Sequence, residues 1–136
     1  MSARNNQVSS VRIITVGHPL SWEDALNYCE AYHTRFLWIE DGEDQNAVEQ
    51  WLKYSNGSGN YNEKLWIGLR QSSVFGFWIW SDRIVNWNNW RDNRIPELSP
   101  AYSHCGVINV NGTWGAEDCR KAHPFLCEEE ISYMDE

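Results

Sequence analysis

Four cysteines, Cys29, Cys105, Cys119 and Cys127, constrain this chain more than any other feature. None belongs to a C-x-x-C pair, and no histidine stands at zinc-finger spacing from two of them, so the sequence offers no zinc site. An even count in a chain of 136 residues points to two disulfides and an oxidising compartment. Four cysteines allow three connectivities, and spacing alone does not choose among them. Covalent staples need a core to hold, and the chain supplies one. It is 42% hydrophobic, with nine Trp, six Tyr and four Phe, an aromatic load foreign to disordered chains. The length suits one domain.

Charge and flanking segments narrow the setting. The net charge is −8, which disfavours contact with nucleic-acid phosphates. No apolar run is long enough to cross a bilayer. Residues 1–10 are polar, without the apolar stretch of a signal peptide, and read as a flexible segment ahead of a domain at 11–129. Such a chain is either an excised fragment or cytosolic, and the disulfides favour the fragment. Glu128, Glu129 and Glu130 lead into an acidic C-terminal tail at 130–136, expected to be solvated. Two sequons, at Asn56 and Asn111, are candidate glycosylation sites. Asn111-Gly112 also reads as a hairpin turn.

Local patterns give the elements. Val11 to Val16 is β-branched and predicts an opening strand. Ser21 with Asp24 reads as a capping box, and Trp22, Ala25, Leu26 and Cys29 then share one helical face. Phe36 to Ile39 predicts a short strand. Asp41 and Asp44 repeat the capping pattern ahead of a helix whose apolar face is Ala47, Val48, Trp51 and Leu52. Residues 56–60 are a loop. Leu65 to Leu69 and Phe77 to Trp80 predict buried strands. Asn86 to Tyr102 is rich in Asn, Arg and Pro and predicts a long irregular loop, the kind of segment that carries function. Cys105 to Val110 and Thr113 to Ala116 flank the turn, and Phe125 to Cys127 closes the chain. Helices precede most strands without alternation, which predicts an α+β fold.

Several of these segments resemble a known family. Trp66-Ile67-Gly68-Leu69, Trp78-Ile79-Trp80-Ser81-Asp82, Asn89-Trp90, the Trp114–Cys119 spacing and Pro124-Phe125-Leu126-Cys127 occur in the order found in C-type lectin-like domains, including the mannose-receptor type. The likeness runs from about Val11 to Glu129. It implies two helices packed on antiparallel sheets with a long loop. It also implies the pairing Cys29–Cys127 and Cys105–Cys119, and the short form, because no cysteine precedes Cys29. WIGL and the paired tryptophans then belong to the core.

The same resemblance implies where calcium would sit in sugar-binding members. Its ligands come from a Glu-Pro-Asn type triplet, an acid just before the third cysteine, and an Asn-Asp pair after the late tryptophan. Here Ile95-Pro96-Glu97, Ser103 and Gly115-Ala116 occupy those positions. Calcium needs about 6–8 oxygen ligands, so no metal and no cofactor is expected. A rearranged ion site would have to draw on Asp92, Glu97, Glu117 and Asp118.

No H-E-x-x-H, G-x-S-x-G or phosphate-binding glycine loop is present, and the four histidines have no evident nucleophile partner. The expectation is a non-catalytic extracellular recognition domain. Trp87, Arg91, Asp92, Asn93, Arg94, Glu97, Tyr102 and His104 are its candidate binding residues, because Trp, Tyr and Arg dominate interface hot spots. Trp90, outside this set, is expected to anchor the loop in the core, and His104 reads as a surface residue. A protein partner bound without calcium is the first expectation; a glycan, held without calcium or through a rearranged calcium site, is the alternative. A homodimer is a further partner to consider.

Overall fold

The computed structural model describes residues 9–55, 64–72, 74, 76–81, 83–96 and 100–132. In chain order the elements are β1 (Ser9–Leu20), α1 (Trp22–Tyr32), β2 (Arg35–Phe36), α2 (Gly42–Ser55), β3 (Leu65–Gln71), β4 (Trp78–Trp80), β5 (Arg83–Ile84), β6 (His104–Ile108), β7 (Trp114–Asp118) and β8 (His123–Ser132). The architecture is α+β, with both helices set against a connected sheet. β1 and β8 pair antiparallel from Ser9–Ser132 to Val16–Phe125, so the first and last strands lie side by side. A parallel bridge, Trp66 to Phe125, joins β8 to β3. All other pairings between these strands are antiparallel: β3 takes β4 on one edge and β6 on the other, and β6 takes β7.

Both helices begin where capping chemistry predicts. The Ser21 hydroxyl accepts from the Asp24 amide at 3.3 Å and starts α1. Trp22, Ala25 and Cys29 face inward, and the Trp22 indole donates to the Ile67 carbonyl at 2.8 Å. Before α2, Asp41 accepts from the Asp44 amide at 2.9 Å and Asp44 accepts from the Glu40 amide at 3.0 Å. The inward face of α2 differs from expectation. It is Gln45, Val48 and Leu52, whereas Ala47 is exposed and Trp51 only half-buried. Trp51 sits at the edge because its indole donates to the Thr15 hydroxyl at 2.9 Å.

The strand expected at 36–39 shrinks to Arg35–Phe36. Beyond Phe36 the chain crosses between two strands instead of following one. The Leu37 amide donates to Leu126 of β8 at 3.1 Å, and its carbonyl accepts from Gly68 of β3 at 2.7 Å. That close approach explains the glycine in WIGL: a Cβ on Gly68 would lie 2.8 Å from the Leu37 oxygen.

Cys29–Cys127 clamps α1 onto β8, and Cys105–Cys119 ties β6 to the end of β7, the pairing that the resemblance implied. The acidic run departs from the solvated tail expected of it. β8 continues through it as the partner of β1, which carries Glu128 into the core at 0% exposure. Arg35 donates to that carboxylate at 2.8 Å and the Trp38 amide donates at 3.3 Å. These contacts are why the charge can be buried at all. Glu129 takes His33 at 2.7 Å, and Glu130 remains exposed. Residues 133–136 lie outside the described residues.

Candidate functional site

The long segment between β5 and β6 contains no strand among its described residues, yet its base is firmly held. Trp114, fully buried, is the hub. Trp80, Trp90 and Trp87 stand edge-on to it with ring centres at 5.2, 5.8 and 5.9 Å, and Trp78 meets Trp90 at 4.9 Å. Such pairings add to area burial. The Trp114 amide donates to the Asn89 carbonyl at 2.9 Å, and its indole donates to Gln45 Oε1 at 2.9 Å. The Gly112 carbonyl receives two amides, Gln45 Nε2 at 2.7 Å and Asn89 Nδ2 at 3.0 Å. Gly112 has to be glycine: its φ is +92°, and a Cβ would meet Glu49 Oε2 at 2.6 Å.

The turn around Asn111-Gly112 is wider than a two-residue hairpin. It runs from Asn109 to Thr113, closed by the Asn109 amide on the Thr113 carbonyl at 2.8 Å. Asn111 is exposed at its tip, where its side chain accepts from the Thr113 amide and hydroxyl at 3.1 and 2.7 Å. The other sequon, Asn56, lies outside the described residues.

After Trp90 the chain makes a 3-10 turn at Arg91–Asn93. Asp92 and Asn93 both adopt left-handed backbone, at φ 58° and 56°. Asp and Asn tolerate this region better than most residues, but each such position costs about 1–3 kcal/mol. The turn presents Arg91, Asp92 and Arg94, all exposed, around a cavity of about 440 Å³ whose opposite walls are Lys64, Gly115 and Ala116. Ile95, 64% exposed, stands at its rim. The described charges around this cavity are three cations and one carboxylate.

The acids beyond Ala116 are already engaged. Glu117 forms ion pairs with Lys64 and Lys121, with His123 at 3.8 Å. Burial pushes its carboxyl up, but the Lys64 hydrogen bond and the surrounding cations outweigh that and hold it below the usual range. Asp118 is gripped by both ends of the Arg120 guanidinium at 3.0 and 2.8 Å, which lowers its pKa to about 2. Among the described residues no group of three or more His, Cys, Asp or Glu is placed to hold a metal.

The sequence-predicted residues therefore separate. Trp87 is half-buried against Trp114, and Trp90 is in the core. Arg91, Asp92 and Arg94 surround the first cavity, with Asn93 exposed beside them. Glu97 lies outside the described residues. Tyr102 and His104 line a second cavity, of about 710 Å³, which shares no residue with the first. His104 is only 5% exposed, not the surface residue expected, because it opens β6 in register with Asp118 and stacks on Tyr102 at 4.5 Å. Lys64, Arg70 and Gln45 were not among the expected residues. Only Gln45 carried a signal, a polar residue at i, i+3, i+7 spacing with Val48 and Leu52.

The comparisons agree with this architecture. The lectin C-type domain model matches residues 18–129. Over 119 residues the chain is 30% identical to the secretory phospholipase A2 receptor of Bos taurus, covering 85% of this chain and 8% of that protein. Over 112 residues it is 32% identical to C-type mannose receptor 2 of Homo sapiens, covering 80% and 7%. The chain thus spans less than a tenth of the length of these curated relatives. Human lithostathine shares the fold, with a TM-score of 0.75 at 21% identity, covering 88% of this chain and 92% of that one. With a family model across most of its length and non-catalytic recognition domains as its relatives, the chain belongs to the C-type lectin domain family.

Proposed function

We propose that this domain recognises a protein partner through its long-loop face, outside the cell and without calcium. The carrying observation is the charge of the first cavity. Ile95, Gly115 and Ala116 stand at positions where sugar-binding relatives are expected to supply calcium ligands, and all three border that cavity. Lys64, Arg91 and Arg94 share it with one described carboxylate, Asp92. A hard cation needs about 6–8 oxygen ligands and is repelled by such a lining. Glu117 and Asp118 are held by Lys64, Lys121 and Arg120, so recruiting either to an ion would break existing pairs. The exposed Arg91 and Arg94 bring residue types favoured at protein interfaces. Two disulfides favour an oxidising, extracellular setting.

Titration calorimetry with Ca²⁺, paired with melting curves in calcium and in chelator, tests the metal side. The expected result is no binding heat and one melting temperature, because an ion that does not bind the native state cannot stabilise it. A rise of several degrees in millimolar calcium overturns the reading. A glycan array run with and without chelator tests the partner side, and a chelator-sensitive signal there returns the domain to calcium-dependent sugar binding.

A further inference from the structure

The second cavity lies at the other end of the loop, between the start of α1 and the strands β3 and β6. We infer that it binds a single carboxylate, the side chain of an Asp or Glu in a partner polypeptide, with Arg70 as the recognising group; this rests on the protein-binding reading above. Arg70 closes the buried stretch of β3, opposite Cys105 and Ile79, and is half-buried. Its guanidinium has no ion pair or side-chain hydrogen bond among the described residues. The same holds for the ring nitrogens of His104, which is 95% removed from solvent and makes only its stack with Tyr102. Arg70 and His104 line the same cavity, so a half-buried cation without an internal counter-charge among the described residues stands open to a ligand of opposite charge. A planar guanidinium fork matches a carboxylate in two parallel hydrogen bonds.

The other charges in the cavity define the ligand further. Arg120 lines it, but its guanidinium is taken by Asp118. Glu23 lines it too, so a second negative charge beside the first meets repulsion, while a neighbouring N–H meets an acceptor. A carboxylate flanked by peptide N–H groups meets both requirements. Tyr102, 38% exposed, and the Cys105–Cys119 bridge give an apolar wall for the side-chain methylenes. The domain's net charge of −8 works against repeating polyanions, which places acidic glycans second.

The test is an NMR titration of the ¹⁵N-labelled domain with N-acetyl-glutamic acid α-amide, its neutral isostere N-acetyl-glutamine α-amide, and glucuronic acid, all in chelator. The acidic amide is expected to give saturable shifts at Arg70, Tyr102 and His104, and the neutral one to bind about tenfold more weakly or worse. Arg70→Gln should abolish the difference. Arg70→Lys, which keeps the charge and loses the fork, should retain part of it, and melting curves confirm that both variants are folded. Equal affinity for the two amides in the wild-type domain overturns the inference without any variant, as does the absence of saturable shifts at Arg70. Tighter binding of glucuronic acid reassigns the cavity to an acidic sugar. If Arg70 responds to the carboxylate only after calcium is restored, the calcium-free reading has failed while the contact stands.

Discussion

The floor of the molecule and its long loop are ordered by different means. In the floor, β1 and β8 pair over most of their lengths, Cys29–Cys127 fastens α1 to β8, and Glu128 is neutralised in the interior by Arg35. Its stability comes from a backbone ladder, a covalent bond and burial. The loop from 86 to 102 has no ladder among its described residues. It is fixed at its base by Trp90 against Trp78 and Trp114 and by amides converging on the Gly112 carbonyl. Beyond that base it spends conformational energy at Asp92 and Asn93 and leaves Arg91 and Arg94 exposed. The contrast teaches that the residues holding the loop's base are not the residues it leaves exposed. The floor is held by pairing and covalent closure along its length, and the loop is held only at its base, by a few anchors that lie in the core.

The largest expected effect strikes the floor. Replacing Cys29 and Cys127 together by Ala opens a closure of 98 residues, which the chain-entropy model values at about 4.7 kcal/mol. The corresponding loss of Cys105–Cys119, a separation of 14, is valued at about 3 kcal/mol. Urea unfolding of both double variants should rank them in that order. Equal losses, or the reverse order, would mean that the hairpin carries as much of the cohesion as the floor, and the comparison would break.

Trp90→Ala comes next. Truncating a buried tryptophan costs about 3–5 kcal/mol, and Trp90 is 5% exposed at the point where the loop leaves the core. The location of the damage discriminates more sharply than its size. Hydrogen exchange should accelerate through 86–96 and 100–102, while the β1–β8 amides keep exchanging only with global unfolding. Acceleration spread evenly over both regions would show that loop and floor unfold as one unit.

Much of the floor could be read in the sequence because its determinants are local and periodic. Ser21 and Asp24, the 22-25-29 spacing of α1, the apolar runs at 65–69 and 125–127 and the Asn-Gly turn each report on their own neighbourhood. Family motifs then added the disulfide pairing, which spacing left open. Glu128 escaped notice for a physical reason: nothing near it reveals that Arg35, 93 residues earlier, will neutralise it. The site was less legible. Arg91 and Arg94, singled out by residue type, do line the first cavity, but Lys64 and Arg70 come to line the two cavities only through tertiary packing of β3 and the residue before it. His104 was misplaced because a histidine beside a cysteine carries no sign of burial until β6 pairs with β7.

The smallest effect on stability should come from the loop's own arginines, and it sharpens the contrast most. Arg91→Ala with Arg94→Ala removes two exposed side chains that have no ion pair among the described residues. Each surface substitution of this kind changes stability by no more than about 0.5 kcal/mol, so the pair should move the melting temperature by roughly 4 °C at most in a chain of this size. Arginine-selective modification with phenylglyoxal gives the matching readout in the wild-type protein. Arg91 and Arg94 should react quickly. Arg35 should react slowly, because its guanidinium is held at 2.8 Å by a carboxylate with no exposure to solvent. If Arg35 reacted as fast as the loop pair, the Glu128 contact would be too weak to count as part of the floor. If the double Ala variant melted many degrees lower, the loop arginines would be structural, and the first cavity would lose its standing as a surface kept free for a partner.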